Sequence, residues 1–293
     1  MYAAATHNVH AVEMWGISMS SKTNFNGRTA VVTGAAGGIG AALAKSLFDR
    51  GCHLALADVN EEGLQAVARG LSGDNRRVTT HVCDVGNRDA IYQFASEVES
   101  RHGGADLLFN NAGVATMGTF QQVNEQDFEW LLGINLLGPI RMTRAFLPML
   151  QQASTAHIVN ISSIFGVVAP PGHTAYCASK FGLLGFSDSL RHEFSDSSIK
   201  VTTVHPGGID TNIASSSRTP KDVSNEEVEE SIRSMEEKLV MPPSKAAEII
   251  VEAVQRGRPR VYVGSDAKRL AFIQRLFPFR YWSLIRRSLG SDT

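Results

Sequence analysis

The chain has 293 residues, 43% hydrophobic and 19% charged, which can bury a large core and excludes a disordered polymer. A net charge of −1 gives no electrostatic case for nucleic acid as the main partner. The three cysteines, Cys52, Cys83 and Cys177, are far apart and odd in number, which excludes a disulfide framework and a zinc spacing and fits a reducing compartment.

No apolar run reaches the ~18–20 residues of a membrane span. The N-terminus shows no basic region followed by an apolar stretch, so the cytoplasm is the expected location. Residues 1–25 carry no hydrophobic period and are expected to form a flexible extension; an arm on a neighbouring subunit is the other reading.

From Arg28 onward, strand and helix signals alternate. Short apolar or β-branched runs predict strands at 29–33, 53–57, 78–82, 106–110, 156–161, 200–204 and 260–263. Between them, helices are predicted at 38–50, 61–71, 87–102, 125–150, 174–194 and 244–256. Such alternation implies βαβ units with right-handed crossovers. The result is an α/β fold in one domain over residues 26–265, with a mostly parallel sheet of about seven strands covered by helices on both faces. Residues 212–243 are polar and acidic and break the rhythm, as a lid over a site would. Residues 266–293 form a basic amphipathic tail, with Leu270, Ile273 and Phe277 at helical spacing and Pro278 expected to split it in two.

Chemistry first shows in Thr33-Gly-Ala-Ala-Gly-Gly-Ile-Gly40, which joins the first strand to the first helix. Glycines there let the backbone turn tightly and approach a diphosphate, while the helix's first N–H groups face the anion. The second strand ends in Asp58, 24 residues after Gly34, near where a dinucleotide fold places its ribose-binding acid. Further along, Tyr176-Cys-Ala-Ser-Lys180 sets a phenol and an ammonium on one helix face. A neighbouring cation favours phenolate, so Lys180 is expected to lower the Tyr176 pKa towards usable acid–base range. Taken alone, that spacing is better explained by an ordinary surface Tyr and Lys.

The neighbours decide otherwise. Ile158-Val-Asn-Ile-Ser-Ser163 ends in hydroxyls, with Ser163 placed 13 residues before Tyr176. Asn110-Asn-Ala-Gly113 closes another strand, Asn135 lies in the apolar run Gly133–Gly138, and Pro206-Gly-Gly-Ile-Asp-Thr211 closes a further one. With the Gly-x-x-x-Gly-x-Gly turn, this ordered set resembles the short-chain dehydrogenase/reductase family over about residues 26–264. The resemblance implies a Rossmann-like doubly wound fold and oxidoreductase chemistry between an alcohol and a carbonyl. It implies Tyr176 as general acid/base and Ser163, rather than Ser162, as the group that steadies the substrate oxygen. Lys180 would hold the nicotinamide ribose, and Asn135 would kink its helix and bind a water connecting Lys180 to solvent. Gly34, Gly37, Ile39 and Gly40 would line the diphosphate, Asp84 and Val85 would meet the adenine, and Asn111 would lie along the adenosine half. Ile209 and Thr211 would sit near the carboxamide. A plain N-cap for the next helix is the alternative for Asp84.

Asp58 can bind both ribose hydroxyls of NAD but repels a 2′-phosphate, and neither Gly37 nor Val59 supplies a compensating cation. NAD(H) is therefore expected over NADP(H); an NADPH-dependent carbonyl reductase and a catalytically idle NAD-binding sensor or scaffold are the rivals. The loop with Ile164, Phe165, Val167, Val168, Pro170, Pro171 and His173 is mostly apolar and suggests a hydrophobic alcohol or ketone. There, His173 reads as a solvent-facing residue, with a substrate hydrogen bond as the sharper alternative. Helices 125–150 and 174–194 carry long apolar faces, and the resemblance implies a homodimer or homotetramer through them. For the tail, packing over the site or at a subunit contact is weighed above docking on an acidic membrane surface. No metal site is expected.

Overall fold

Seven short runs rich in Val, Leu, Ile and Ala form one parallel sheet in the computed structural model, which describes residues 22–71, 77–220 and 223–288. They are β1 (Thr29–Thr33), β2 (His53–Asp58), β3 (Val78–Val82), β4 (Leu107–Asn110), β5 (Ala156–Ile161), β6 (Ile199–Pro206) and β7 (Arg260–Val263). The spatial order is β3-β2-β1-β4-β5-β6-β7, with every pairing parallel. Central strands β1, β4 and β5 are buried along their whole length, as expected where helices cover both faces. Adjacent residues divide between the two cores: Val32 packs with Leu54 and Leu56 on one face, and Val31 with Ala55 and Leu108 on the other. The parallel seven-stranded sheet read from the alternation, and the doubly wound fold that the resemblance implies, are the ones found.

On the first face lie α1 (Gly38–Asp49), α2 (Glu61–Gly70) and α8 (Pro243–Gln255); on the second lie α3 (Arg88–His102), α5 (Gly138–Gln152) and α6 (Thr174–Glu193). Asn60 and Asn87 accept backbone N–H bonds at the starts of α2 and α3, satisfying donors the helices cannot. The helix expected at 125–150 is interrupted: α4 (Glu125–Leu132) runs into a π-type segment, Gly133–Leu137, before α5 begins. Two causes act together. Pro139 cannot donate to an α-helical bond, and the buried Asn135 side chain is held from outside, by the backbone of Val114.

Packing begins slightly before residue 26. Thr23 N donates to Gln255 O at 2.8 Å, and Phe25 is 1% exposed within the first core, so these residues are structural rather than part of an extension. Residues 1–21 lie outside the described residues.

Within 212–243, the helix α7 (Asn225–Glu236) starts on a Ser224 cap. The segment is tied down near both ends. Arg218 pairs its backbone with Ala115 and Met117, lays its guanidinium 3.5 Å over the Trp130 ring and bonds Asp127 at 2.6 Å. Met241 exchanges backbone bonds with Gly208 and Asp210. The tail forms α9 (Ser265–Leu276) and α10 (Tyr281–Ser288), separated at Pro278 as its fixed φ demands. Among the described residues no helix is long and apolar enough to cross a membrane. All three cysteines are free and buried, and burial pushes their thiols up to about 11 or 12, so almost no thiolate exists at neutral pH.

Candidate active site

The chain leaves β1 towards β2 and β3 on one side and leaves β4 towards β5 on the other, which opens a crevice at the carboxyl edge between β1 and β4. The glycine turn fills that edge. Gly34 has φ +64°, and a Cβ there would lie 2.8 Å from Ala112 Cα; a Cβ on Gly40 would lie 1.9 Å from Gly34 O. Both positions exclude any side chain. Gly37 is different, since its Cβ would meet nothing within 4 Å, and it stands at the start of α1 without a side-chain cap. Gly37 is exposed, and no side chain caps the first N–H groups of α1. Ile39 packs its side chain on the first core.

Thr33 ties the turn to β4. Its hydroxyl donates to Phe109 O at 3.3 Å and accepts from Asn111 N and Ala112 N at 3.0 and 3.1 Å. Asn111, expected along a ligand, spends its own amide on Thr33 O and Gly34 O at 2.9 and 3.1 Å. Its side chain therefore clamps the turn. Asp58 ends β2 with both oxygens bonded, Oδ2 accepting from Ala36 N and Oδ1 from Asn60 N, each at 3.0 Å. That arrangement fixes the carboxylate against the turn. Asp84 does not cap α3; Asn87 does, and Asp84 accepts from Gly86 N at 2.7 Å instead. Val85 is buried beside it, against Gly138.

Across the crevice, Tyr176 and Lys180 sit one turn apart on α6, with Lys180 Nζ 5.5 Å from the centre of the Tyr176 ring. Lys180 is 3% exposed and donates to Ile161 O at 3.1 Å. The Ser163 side chain lies close enough to the Tyr176 phenol to influence its proton, and its hydroxyl accepts from Phe165 N at 3.0 Å. Ser162 points elsewhere, donating to Lys180 O at 3.0 Å. Asn135 accepts from Val114 N at 2.9 Å and donates to Val114 O and Ser179 Oγ at 2.8 and 3.3 Å. A methyl on Gly113 would touch both Asn135 Oδ1 and Lys180 Nζ at 3.4 Å, so the backbone there lies between the two side chains. With its amide engaged in this way, a water relay at Asn135 would have to use its backbone.

The electrostatics correct one expectation. Burial of the hydroxyl pushes the Tyr176 phenol up to about 12, although the Ser163 side chain works the other way. Burial also lowers the Lys180 ammonium to about 8. Desolvation governs, and the lowering that i,i+4 spacing to Lys180 promises is not found, so the protein alone holds Tyr176 as a neutral acid. Two further readings change. His173 is packed against Phe165, ring centres 5.1 Å apart, and its pKa is lowered by burial, so it is not a solvent-facing residue. Ile164, Val167 and Val168 do not line the crevice; they are buried against Ala267, Ala271 and Ile285 of the tail.

Three residues escaped the sequence reading. Gly38 has φ +51°, and its Cβ would meet the Thr211 methyl at 3.0 Å, which brings the start of the 212–243 segment onto the glycine turn. Ile209 is buried and pairs with Met241. His205 is wholly buried, donates from Nδ1 to Ser163 O at 2.9 Å and stacks on Tyr262, while its Nε2 has no partner. Asp266 of α9 accepts from Gly208 N at 2.8 Å and locks the Pro206-Gly-Gly loop. A histidine directly before Pro-Gly-Gly was the signal available for His205; nothing local pointed to Asp266.

Comparison with known proteins agrees with this arrangement. The family model for short chain dehydrogenase matches residues 28–222. The chain is 36% identical over 266 residues to the candidate oxidoreductase SadH of Mycobacterium tuberculosis, a match covering 90% of this chain and 95% of that one. A solved short chain dehydrogenase/reductase from Burkholderia phymatum in complex with NAD superposes with a TM-score of 0.80 at 27% identity, over 87% of this chain and 95% of that one. A metagenomic short-chain oxidoreductase in complex with NADP superposes with a TM-score of 0.66 at 30% identity, over 82% and 98%.

Proposed function

This chain belongs to the short-chain dehydrogenase family, and from that premise we propose that it interconverts a hydrophobic secondary alcohol and its ketone with NAD(H). The observation that carries the reading is the meeting of Tyr176, Ser163 and Lys180 across from an uncapped helix start and an open Gly37.

A nicotinamide dinucleotide suits this cradle. The first N–H groups of α1 and the space at Gly37 suit a diphosphate, with Gly34, Ile39 and Gly40 shaping the turn. Asp58 suits two ribose hydroxyls, and Asp84 and Val85 fall to the adenine side. Tyr176, Lys180, Ile209 and Thr211 fall to the nicotinamide side, and Asn111 keeps the turn in place. When bound, the dinucleotide supplies or accepts the hydride. Tyr176 gives its proton to the carbonyl oxygen in reduction and takes it back in oxidation. Ser163 donates to the same oxygen, steadying the charge that develops there. Lys180, when protonated, favours the phenolate that oxidation needs. Residues 212–243 serve as the substrate lid in this reading, and the active unit is a homodimer or homotetramer.

Substrate polarity now rests on fewer residues than the loop composition suggested. Phe165 remains beside Tyr176, ring centres 6.3 Å apart, while its apolar neighbours face the tail. A spectrophotometric screen against secondary alcohols graded by size and polarity tests the point. Catalytic efficiency should rise with apolar bulk, and equal turnover of polyols would overturn the hydrophobic assignment.

The preference for NAD(H) follows from Asp58. At about 4 Å and intermediate dielectric, a 2′-phosphate beside this carboxylate meets a repulsion of roughly 4 kcal/mol per charge before screening. Asp58→Ala should therefore shrink the ratio of kcat/KM for NAD over NADP by at least about tenfold. Equal efficiency of the unaltered protein with both cofactors defeats the assignment.

A further inference from the structure

The two tail helices have an inner face that is satisfied and an outer face that is not. Inside, Ala267, Ala271 and Ile285 are buried on the loop after Ser163, and the Tyr281 hydroxyl accepts from Ala169 N at 3.0 Å. Outside, the turn between α9 and α10 reads Arg275-Leu-Phe-Pro-Phe-Arg280 and is exposed at all six positions. Phe279 is 99% exposed, Leu276 54% and Phe277 48%, with Phe272 at 62% one turn earlier. An apolar cluster on a projecting turn is not how a monomer's surface is normally finished.

Charge says what would cover it. Residues 265–288 hold six basic side chains and one acid in a chain whose net charge is −1. The acid, Asp266, is engaged with Gly208 N at the far end of α9. None of the ion pairs among the described residues involves Lys268, Arg269, Arg275, Arg280 or Arg286. A two-fold contact with a second copy would set arginine against arginine. An anionic bilayer has no such conflict: its interface accepts projecting aromatic rings, and its headgroups match the arginines on both sides of them.

We propose that the α9–α10 turn docks this protein on anionic lipid surfaces, with Leu276, Phe277 and Phe279 entering the interface and Arg275 and Arg280 on the headgroups. This goes beyond the oxidoreductase reading and does not depend on it.

The test is co-sedimentation of the full chain with phosphatidylcholine vesicles, with and without phosphatidylglycerol. Binding should require phosphatidylglycerol and weaken as salt rises. Arg275→Gln and Arg280→Gln should each weaken it about fivefold, the share of one basic residue at such a surface. Phe279→Ser should weaken it about tenfold with an unchanged melting temperature, since its side chain touches nothing that folding needs. Sedimentation velocity on the same samples separates the competing occupant. The proposal fails if the unaltered chain stays in the supernatant, if both vesicle types bind alike, or if the variants pellet as the unaltered chain does. It also fails if Phe279→Ser dissociates an oligomer without changing lipid binding.

Discussion

Tyr176→Phe is expected to lower kcat/KM by about 10³-fold, within the range a positioned acid–base group contributes, while cofactor affinity changes by less than about threefold. The substitution removes one oxygen and keeps the ring, so the edge-on contact with Phe165 survives. Ser163 keeps its bond from Phe165 N and its carbonyl keeps the His205 bond, so the loop stays where it is. What disappears is the proton at the substrate oxygen. Steady-state kinetics with a responsive alcohol, together with a fluorescence titration of NADH, separates the two effects. A variant retaining a tenth or more of its turnover would sink the assignment, because the other titratable side chain bonded to Ser163 among the described residues, His205, does not bond its hydroxyl. His205 reaches the Ser163 carbonyl instead, and burial lowers it to about 4, which leaves it neutral at working pH.

How far the sequence could carry this depends on the range of the interaction concerned. The seven strands and the glycine turn were legible because their signals are local. Apolar runs report burial on both faces, and Gly34 and Gly40 stand where any Cβ would strike backbone. The π-type break at Gly133–Leu137 was not legible as geometry. Helical periodicity runs through it, and the side-chain bonds on Asn135 come from Val114, 21 residues away. The loop after Ser163 misled for the same reason. Ile164, Val167 and Val168 are apolar because the tail covers them, and a partner more than a hundred residues distant leaves no mark on local composition. The amphipathic stripe of the tail announced a buried face but not its partner. For Tyr176, spacing supplied the neighbour and not the depth; depth is what sets the pKa here.

Depth also governs Lys180. Its pKa is lowered from 10.5 to about 8, so the folded protein holds this proton less tightly than the unfolded chain does. Below about pH 8 both states are protonated, and the buried ammonium costs the fold roughly 3 kcal/mol. Between pH 8 and 10.5 the folded state sheds its proton first and the cost fades; above that range both states are neutral and it is gone. Lys180→Met keeps the length of the side chain and removes the ammonium. It also strands Ile161 O, which loses its 3.1 Å partner at a cost of about 1 kcal/mol. The net expectation at pH 7 is a gain of about 2 kcal/mol, or a melting temperature raised by about 5 °C, shrinking to nothing or reversing by pH 10.5. Turnover should fall by about 10³-fold in the same variant, since the phenolate loses the cation that favours it. Thermal melts at the two pH values, beside the kinetics, check both halves. A purely structural lysine predicts the opposite pairing, with stability falling and activity following it down. A lysine buried at a cost to the fold, beside a phenol that the fold alone keeps protonated, is what the proposed chemistry at Tyr176 would require.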